Sequence, residues 1–237
     1  MANLLSDTIN YIRPFCRYQE ANIGTNNMPI IGIANIVRNV ILAAPMRWNF
    51  NRSENSSYTL STGVQDYTLA ISDFGYLERA SVKDPDDGKF YEIPDVLNNA
   101  SLARSSLPTG RPQTVSIHNI SGPILRFSAV PNKNYSLYLV YQKVASQFVA
   151  ISDQWSPIPD TLSDVYNNLC LGYYMDSCQD PRAPQYISKG IASLLARQSG
   201  LSEMDKAIFA QSYMNLNSAF ITQGLETQQG RQAQAVR

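Results

Sequence analysis

The chain has 237 residues, of which 19 are Lys or Arg and 19 are Asp or Glu, so its formal net charge is zero and only 16% of it is charged. That balance removes any general electrostatic drive toward nucleic acid or an anionic membrane surface. The three cysteines, Cys16, Cys170 and Cys178, lack a short Cys-x-x-Cys spacing and argue against a disulfide framework or a zinc site. The length predicts one large domain or two joined ones, with a core that needs no cross-links.

The opening MANLLSDTINYIRPF has neither a basic n-region nor a long apolar core, so no signal peptide is expected. Pro29 reads as the first residue of a helix. After it Ile30, Ile33, Ala34, Val37, Val40, Ile41 and Ala44 recur at helical spacing until Pro45. Ile31, Ile36 and Leu42 widen that stripe and leave a narrow polar face at Asn35, Arg38 and Asn39. The pattern predicts a helix packed on most sides. The run is too short, and too often interrupted, to span a bilayer. A soluble protein made in a reducing cytoplasm is expected.

From about Tyr58 to Gln142 the period changes to two. Leu77, Arg79, Ser81 and Lys83 alternate with Tyr76, Glu78, Ala80 and Val82, and Val115 and Ile117 alternate with Ser116 and His118. Leu125, Phe127 and Ala129 form another row, as do Leu137, Leu139 and Tyr141. Turn signals at 84–88, 109–112, 121–123 and 131–134 separate these runs, and their close spacing predicts antiparallel pairing. Beyond Pro157-Ile158-Pro159, Asp160 reads as the N-cap of a helix carrying Leu162, Val165, Tyr166, Leu169 and Tyr173. Asp180-Pro181 starts another, with Ile187, Ile191, Leu194 and Leu195, and Gly200 stops it. Ser202 starts a last one, with Phe209, Tyr213, Leu216 and Phe220 on one stripe. The fold class is therefore α+β: helical arms from both termini pack together, with an antiparallel β sheet or sandwich inserted. The expected divisions are 1–50, an inserted β domain 51–150, 151–222, and a flexible tail 223–237 that lacks apolar anchors.

Chemistry is sparse. His118 is the only histidine, and it shares a strand face with Ser116, without the sharp turn and oxyanion donors that a serine nucleophile needs. It reads as an exposed strand residue. Asp84-Pro85-Asp86-Asp87-Gly88 misses the calcium-loop spacing, because its glycine falls one place early and Pro94 stands where the glutamate belongs, so it reads as a hairpin turn. Asp66 and Asp73, in GVQDYTLAISDFGYLERASV, have no partner acid, base or metal ligand and read as turn and solubility residues, with Gly75 permitting the bend and Tyr67, Leu69 and Leu77 packing beneath. No phosphate-binding glycine loop is present, and the aromatics sit at packing positions. No enzyme and no cofactor is expected.

Four segments carry a resemblance: Ala44–Arg52 (APMRWNFNR), GVQDYTLAISDFGYLERASV, Gly110-Arg111-Pro112, and Gln154–Asp160 (QWSPIPD). In this order they resemble the head-to-tail adaptors, or connectors, of tailed bacteriophages, the group that includes tail tubular protein A of short-tailed phages. The resemblance implies a structural virion protein at the head–tail junction, assembled in the host bacterial cytoplasm. It implies a ring, typically of twelve copies, whose partners are the portal protein above and the next tail component, a nozzle or tail tube, below. Genomic DNA would pass through the ring without sequence-specific binding. In such proteins an extended C-terminal tail often grips the portal. Here that expectation falls on Gln223, Gln228, Gln229, Arg231, Gln232, Gln234 and Arg237. Trp48 and Trp155 stand at the two crossings between helical and β parts and are expected to anchor that junction. The competing class is another tail structural protein or a receptor- or glycan-binding one, which would show an exposed aromatic platform.

Overall fold

The computed structural model describes residues 3–15, 30–95, 108–119 and 123–212. The chain divides into two compact units, Met1–Met46 with Ser146–Arg237, and Arg47–Ala145.

The first unit is helical. α1, Leu5–Ile12, buries Leu5, Thr8, Ile9 and Ile12, one face of a 3.6-residue period. Its start is held by Asp7, whose carboxylate accepts the Leu4 N–H at 2.8 Å. α2, Ile30–Leu42, follows the predicted stripe with Ile30, Ile33, Ala34, Val37, Val40 and Ile41 buried. Its polar face differs from the prediction, because Arg38 is buried while Ile36 is exposed. α3, Ser163–Ser177, is preceded by a 3₁₀ turn at Asp160–Leu162. Asp160 does not cap α3: its carboxylate accepts the Asn3 N–H at 3.0 Å instead, tying the two arms together. α3 is buried on nearly every side, including Val165, Tyr166, Leu169, Cys170, Leu171 and Met175, because α1, α2 and α4 all pack against it. α4, Ala183–Ala196, starts two residues after the Pro181 that the sequence suggested as its first and carries Pro184 in its first turn. α5 covers 203–212, and Ser202 caps it by accepting the Asp205 N–H at 3.1 Å.

The second unit is β. Its strands are β1 Arg52–Leu60, β2 Asp66–Thr68, β3 Phe74–Lys83, β4 Phe90–Ile93, β5 Thr109–Gly110, β6 Val115–Asn119, β7 Pro123–Phe127, β8 Val130–Pro131 and β9 Tyr135–Lys143. A four-stranded sheet runs β1-β9-β3-β4 and a three-stranded sheet β2-β7-β6, both antiparallel, with β5 and β8 a short parallel pair. The two sheets share one core, built from Leu60, Leu69, Leu77, Val82, Leu125, Phe127, Leu137 and Leu139 among others. The observed class is the predicted one, α+β with antiparallel sheets.

Strict alternation along β3 would place Leu77 opposite Ala80 and Val82, yet all three face the core. A register shift between Leu77 and Arg79 inserts one residue and changes the phase. A second shift, between Phe74 and Tyr76, brings β9 so close that a Cβ on Gly75 would meet the Gln142 carbonyl oxygen at 2.7 Å. The glycine is required there by the approach of β9.

Candidate functional site

The residues singled out for chemistry hold structure together. Asp66 and Arg126 face each other across β2 and β7, and the guanidinium donates to both carboxylate oxygens, at 2.8 and 2.7 Å. That contact holds the Asp66 carboxyl below its usual range. His118 belongs to the same sheet face, but it is half-buried rather than exposed, and its Nε2 is buried without a hydrogen-bond partner among the described residues. Ser116 is buried as well. With both Asp66 oxygens taken by Arg126 and the serine shut away on a flat strand, the Ser–His–Asp residue types form no nucleophilic centre. Asp73 accepts the Tyr141 hydroxyl at 3.2 Å.

The 84–88 segment is the hairpin turn joining β3 to β4, closed by the Gly88 N–H on the Asp84 carbonyl at 2.9 Å. Lys133 reaches into it, paired with Asp84 at 2.7 Å and also with Asp86. Hydrogen bonding from Lys133 lowers the Asp84 carboxyl, so the position a cation would take is filled by an ammonium. Among the described residues no group of three or more His, Cys, Asp or Glu is placed to hold a metal ion, and no helix is long and apolar enough to cross a membrane. Cys170 is a buried thiol on α3 whose ionisation burial suppresses, and Cys178 is exposed.

The most constructed non-core feature is the segment 146–156 of the helical unit, which follows β9 and precedes α3 in the chain. Arg38 of α2 donates from one guanidinium nitrogen to the Ser146 carbonyl and from the other to the Ser156 carbonyl. Its plane lies 3.9 Å over the Phe148 ring. Asn35 makes a two-way bond with the Phe148 backbone, accepting its N–H at 2.8 Å and donating to its carbonyl at 3.1 Å. Asp153 accepts the N–H groups of Val149 and Ala150 at 2.7 and 2.9 Å, and those contacts lower its carboxyl. The Leu5 and Ser6 N–H groups of α1 donate to the Asp153 and Ile151 carbonyls. The segment is thereby fixed at both ends and in its middle.

Sequence reasoning passed over this segment, since the alternating rows end at Gln142 and the helical signals resume at Pro157. The signal was nonetheless present: Phe148-Val149-Ala150-Ile151 is an apolar run closed by an aspartate two residues on. The burial of Arg38 was not legible, because an arginine on a narrow polar stripe reads as solvated until the carbonyls that receive it are known.

Trp48 and Trp155 are both buried, each within its own unit. Trp48 stacks on Phe50 at 5.2 Å between centroids, and its backbone N–H donates to the Gln142 side chain at 3.3 Å. Trp155 lies against Tyr166 of α3 at 4.4 Å, and its backbone N–H donates to the Asn3 carbonyl. Gln223, Gln228, Gln229, Arg231, Gln232, Gln234 and Arg237 lie outside the described residues, as do Cys16, Tyr213, Leu216 and Phe220.

On the solvent side of the four-stranded sheet a shallow groove of about 530 Å³ is lined by Glu54, Arg79, Ser81, Glu92 and the pair Phe90–Tyr138. Phe90 is 56% exposed and meets Tyr138 edge-on at 4.9 Å.

The molecule thus presents two compact units and a braced apolar segment. No curated protein matches the chain. A family model described as SU10 adaptor protein matches residues 25–219, which takes in the whole β unit and α2 to α5. By that match the chain belongs to the SU10 adaptor protein family, a family of phage structural adaptors.

Proposed function

We propose that this adaptor forms a ring, typically of twelve copies, at the head–tail junction of the virion, joins the portal protein to the next tail component and continues the DNA channel. In this reading residues 1–50 and 151–222 make the adaptor core, 51–150 is an inserted β domain, and 223–237 is the tail that grips the portal through Gln223, Gln228, Gln229, Arg231, Gln232, Gln234 and Arg237. The observation that carries the reading is the family match over residues 25–219. The likeness of four sequence segments to the group containing tail tubular protein A supports the position next to the portal. Zero net charge suits a channel through which DNA slides without being held. Assembly in the host cytoplasm, Trp48 and Trp155 as junction anchors, and the absence of catalysis complete the proposal.

The test is light scattering of purified protein mixed with its portal ring, using the full chain and a version ending at Gly224. Stoichiometric binding by the full chain and none by the shortened one is the expected result. Binding by neither sinks the portal-facing assignment.

The groove holding Phe90 and Tyr138 favours a second reading, a glycan-binding tail protein, since an exposed ring beside carboxylates and hydroxyls suits a sugar. Binding of host-envelope polysaccharide by the free protein, abolished by Phe90→Ala, would select it.

A further inference from the structure

The segment 146–156 and α1 are built as one piece. A single side chain pins the two ends of the segment, since one guanidinium, that of Arg38, donates to both the Ser146 and the Ser156 carbonyls. A stretch of this length whose ends meet at one group is an Ω-loop, packed by its own side chains. Within it Phe148 is buried beneath Arg38, Asn35 clasps the Phe148 backbone, and the Asp153 carboxylate ties down Val149 and Ala150.

α1 rests on this loop. Its first N–H groups, at Leu5 and Ser6, have no acceptor inside the helix. They donate at 3.0 and 2.9 Å to the Asp153 and Ile151 carbonyls of the loop. The residues before α1 continue the contact: Leu4 bridges Gln154, and the Trp155 N–H donates to the Asn3 carbonyl at 3.1 Å. The seat of α1 therefore keeps its shape through Arg38, Asn35 and Asp153. The dependence also runs the other way, because departure of α1 takes away backbone ties at Ile151, Asp153 and Trp155.

We propose that α1 and the 146–156 loop form one latch, which opens as a unit while α2, α3 and α4 stay folded. α1 has 8 residues, and a helix shorter than about 12–15 residues is marginal alone in water, so α1 is helical on its seat or not at all. The remaining helices do not need the latch for their own packing. α2 lies against α3, and α3 meets α4 closely through Gly172 and Gly190. Opening also strands no charge, because an Arg38 released from the loop carbonyls regains water. In the closed latch Leu5, Ile9 and Ile12 are no more than 4% exposed. Opening delivers them, and the α3 surface that α1 covers, to solvent. The subunit thus holds a concealed apolar face whose release is controlled by Asn35 and Arg38 of α2. This inference does not depend on the ring reading.

Native-state hydrogen exchange of the full chain in low urea tests it. The N–H groups of Leu5, Ser6, Phe148, Val149 and Trp155 all donate within the latch. They are expected to share one opening equilibrium, with protection about a hundredfold or more below that of Leu171 in α3. Asn35→Ala removes the clasp on Phe148 and none of the α1 bonds. It should nevertheless lower protection at Leu5 and Ser6 about tenfold, and leave Leu171 unchanged. Asp7→Ala, at the exposed start of α1, should lower Phe148 and Val149 about tenfold, the size of a lost helix cap. Should Asn35→Ala fail to fold, Asp7→Ala reads the same coupling from the other side. Effects confined to the side of the latch that was altered overturn the proposal. So does protection of the five reporters equal to that of Leu171, which would make the latch part of the global core.

Discussion

A guanidinium taken out of water costs several kcal/mol unless its donors are met, and Arg38 meets that requirement with two backbone carbonyls and the face of Phe148. Burial lowers its proton affinity while leaving it charged. Trp155 is the apolar counterpart, enclosed against Tyr166 in the same unit. Trp155→Ala should cost about 3–5 kcal/mol, read as a lowered melting temperature; an unchanged melting curve would end the proposal that Trp155 anchors its crossing. Asp66 predicts a pH effect. Its folded-state carboxyl is held low by Arg126, so its contribution is complete above the unfolded value of about 3.9 and disappears as pH falls through the lower folded one. The side chains are 35% and 41% exposed, so the contribution is small. Asp66→Asn should make the fall in melting temperature from about pH 6 to about pH 3 shallower, and an unaltered slope would assign that fall to other carboxylates. None of these partnerships was legible in the sequence, because Asp66 and Arg126 stand sixty positions apart and nothing local names the partner.

At the scale of elements, helix periodicity did most of the predictive work. The stripe beginning at Ile30 became α2, and Val165, Tyr166 and Leu169 fell on the buried side of α3. Alternation found the buried rows of β7 and β9 as well. It failed along β3, where two register shifts change which parity faces inward, a displacement that depends on the partner strand. α3 and α4 meet unusually closely. A Cβ on Gly172 would come within 2.6 Å of Ile187 Cγ1 and 2.8 Å of the Ile187 nitrogen, and one on Gly190 within 2.6 Å of Leu169. Two facing glycines thus set the separation of this helix pair. The side-chain tip at Leu169 can give way, but the Ile187 backbone cannot move without shifting α4. Gly172→Ala is therefore expected to destabilise by about 1–3 kcal/mol despite the better helix propensity of alanine. Gly190→Ala should cost less. Urea melts of the two variants check the order, and a stabilised Gly172→Ala would refute the close-packing account.

For the whole molecule, the α–β–α order was legible because the hydrophobic period changes from 3.6 to 2 and back. The pairing of β1 with β9, which makes the first and last strands of the β unit neighbours, was not, since it joins residues such as Arg52 and Gln142. That pairing bears on synthesis. On the ribosome α2 emerges long before α3, against which its apolar side packs. At about 5–20 residues per second it must wait several seconds, with Ile33, Val37 and Ile41 uncovered, while the β unit is translated. The four-stranded sheet cannot close until β9 has left the exit tunnel. The next residues out are 146–156, which receive Arg38 and begin to shelter the waiting helix. The nascent chain is thus timed so that completion of the β unit directly precedes rescue of α2. A ribosome stalled when β9 has cleared the tunnel but 146–156 and α3 are still inside it would hold a finished sheet and an unshielded helix in one chain, a substrate for the chaperones that meet emerging chains.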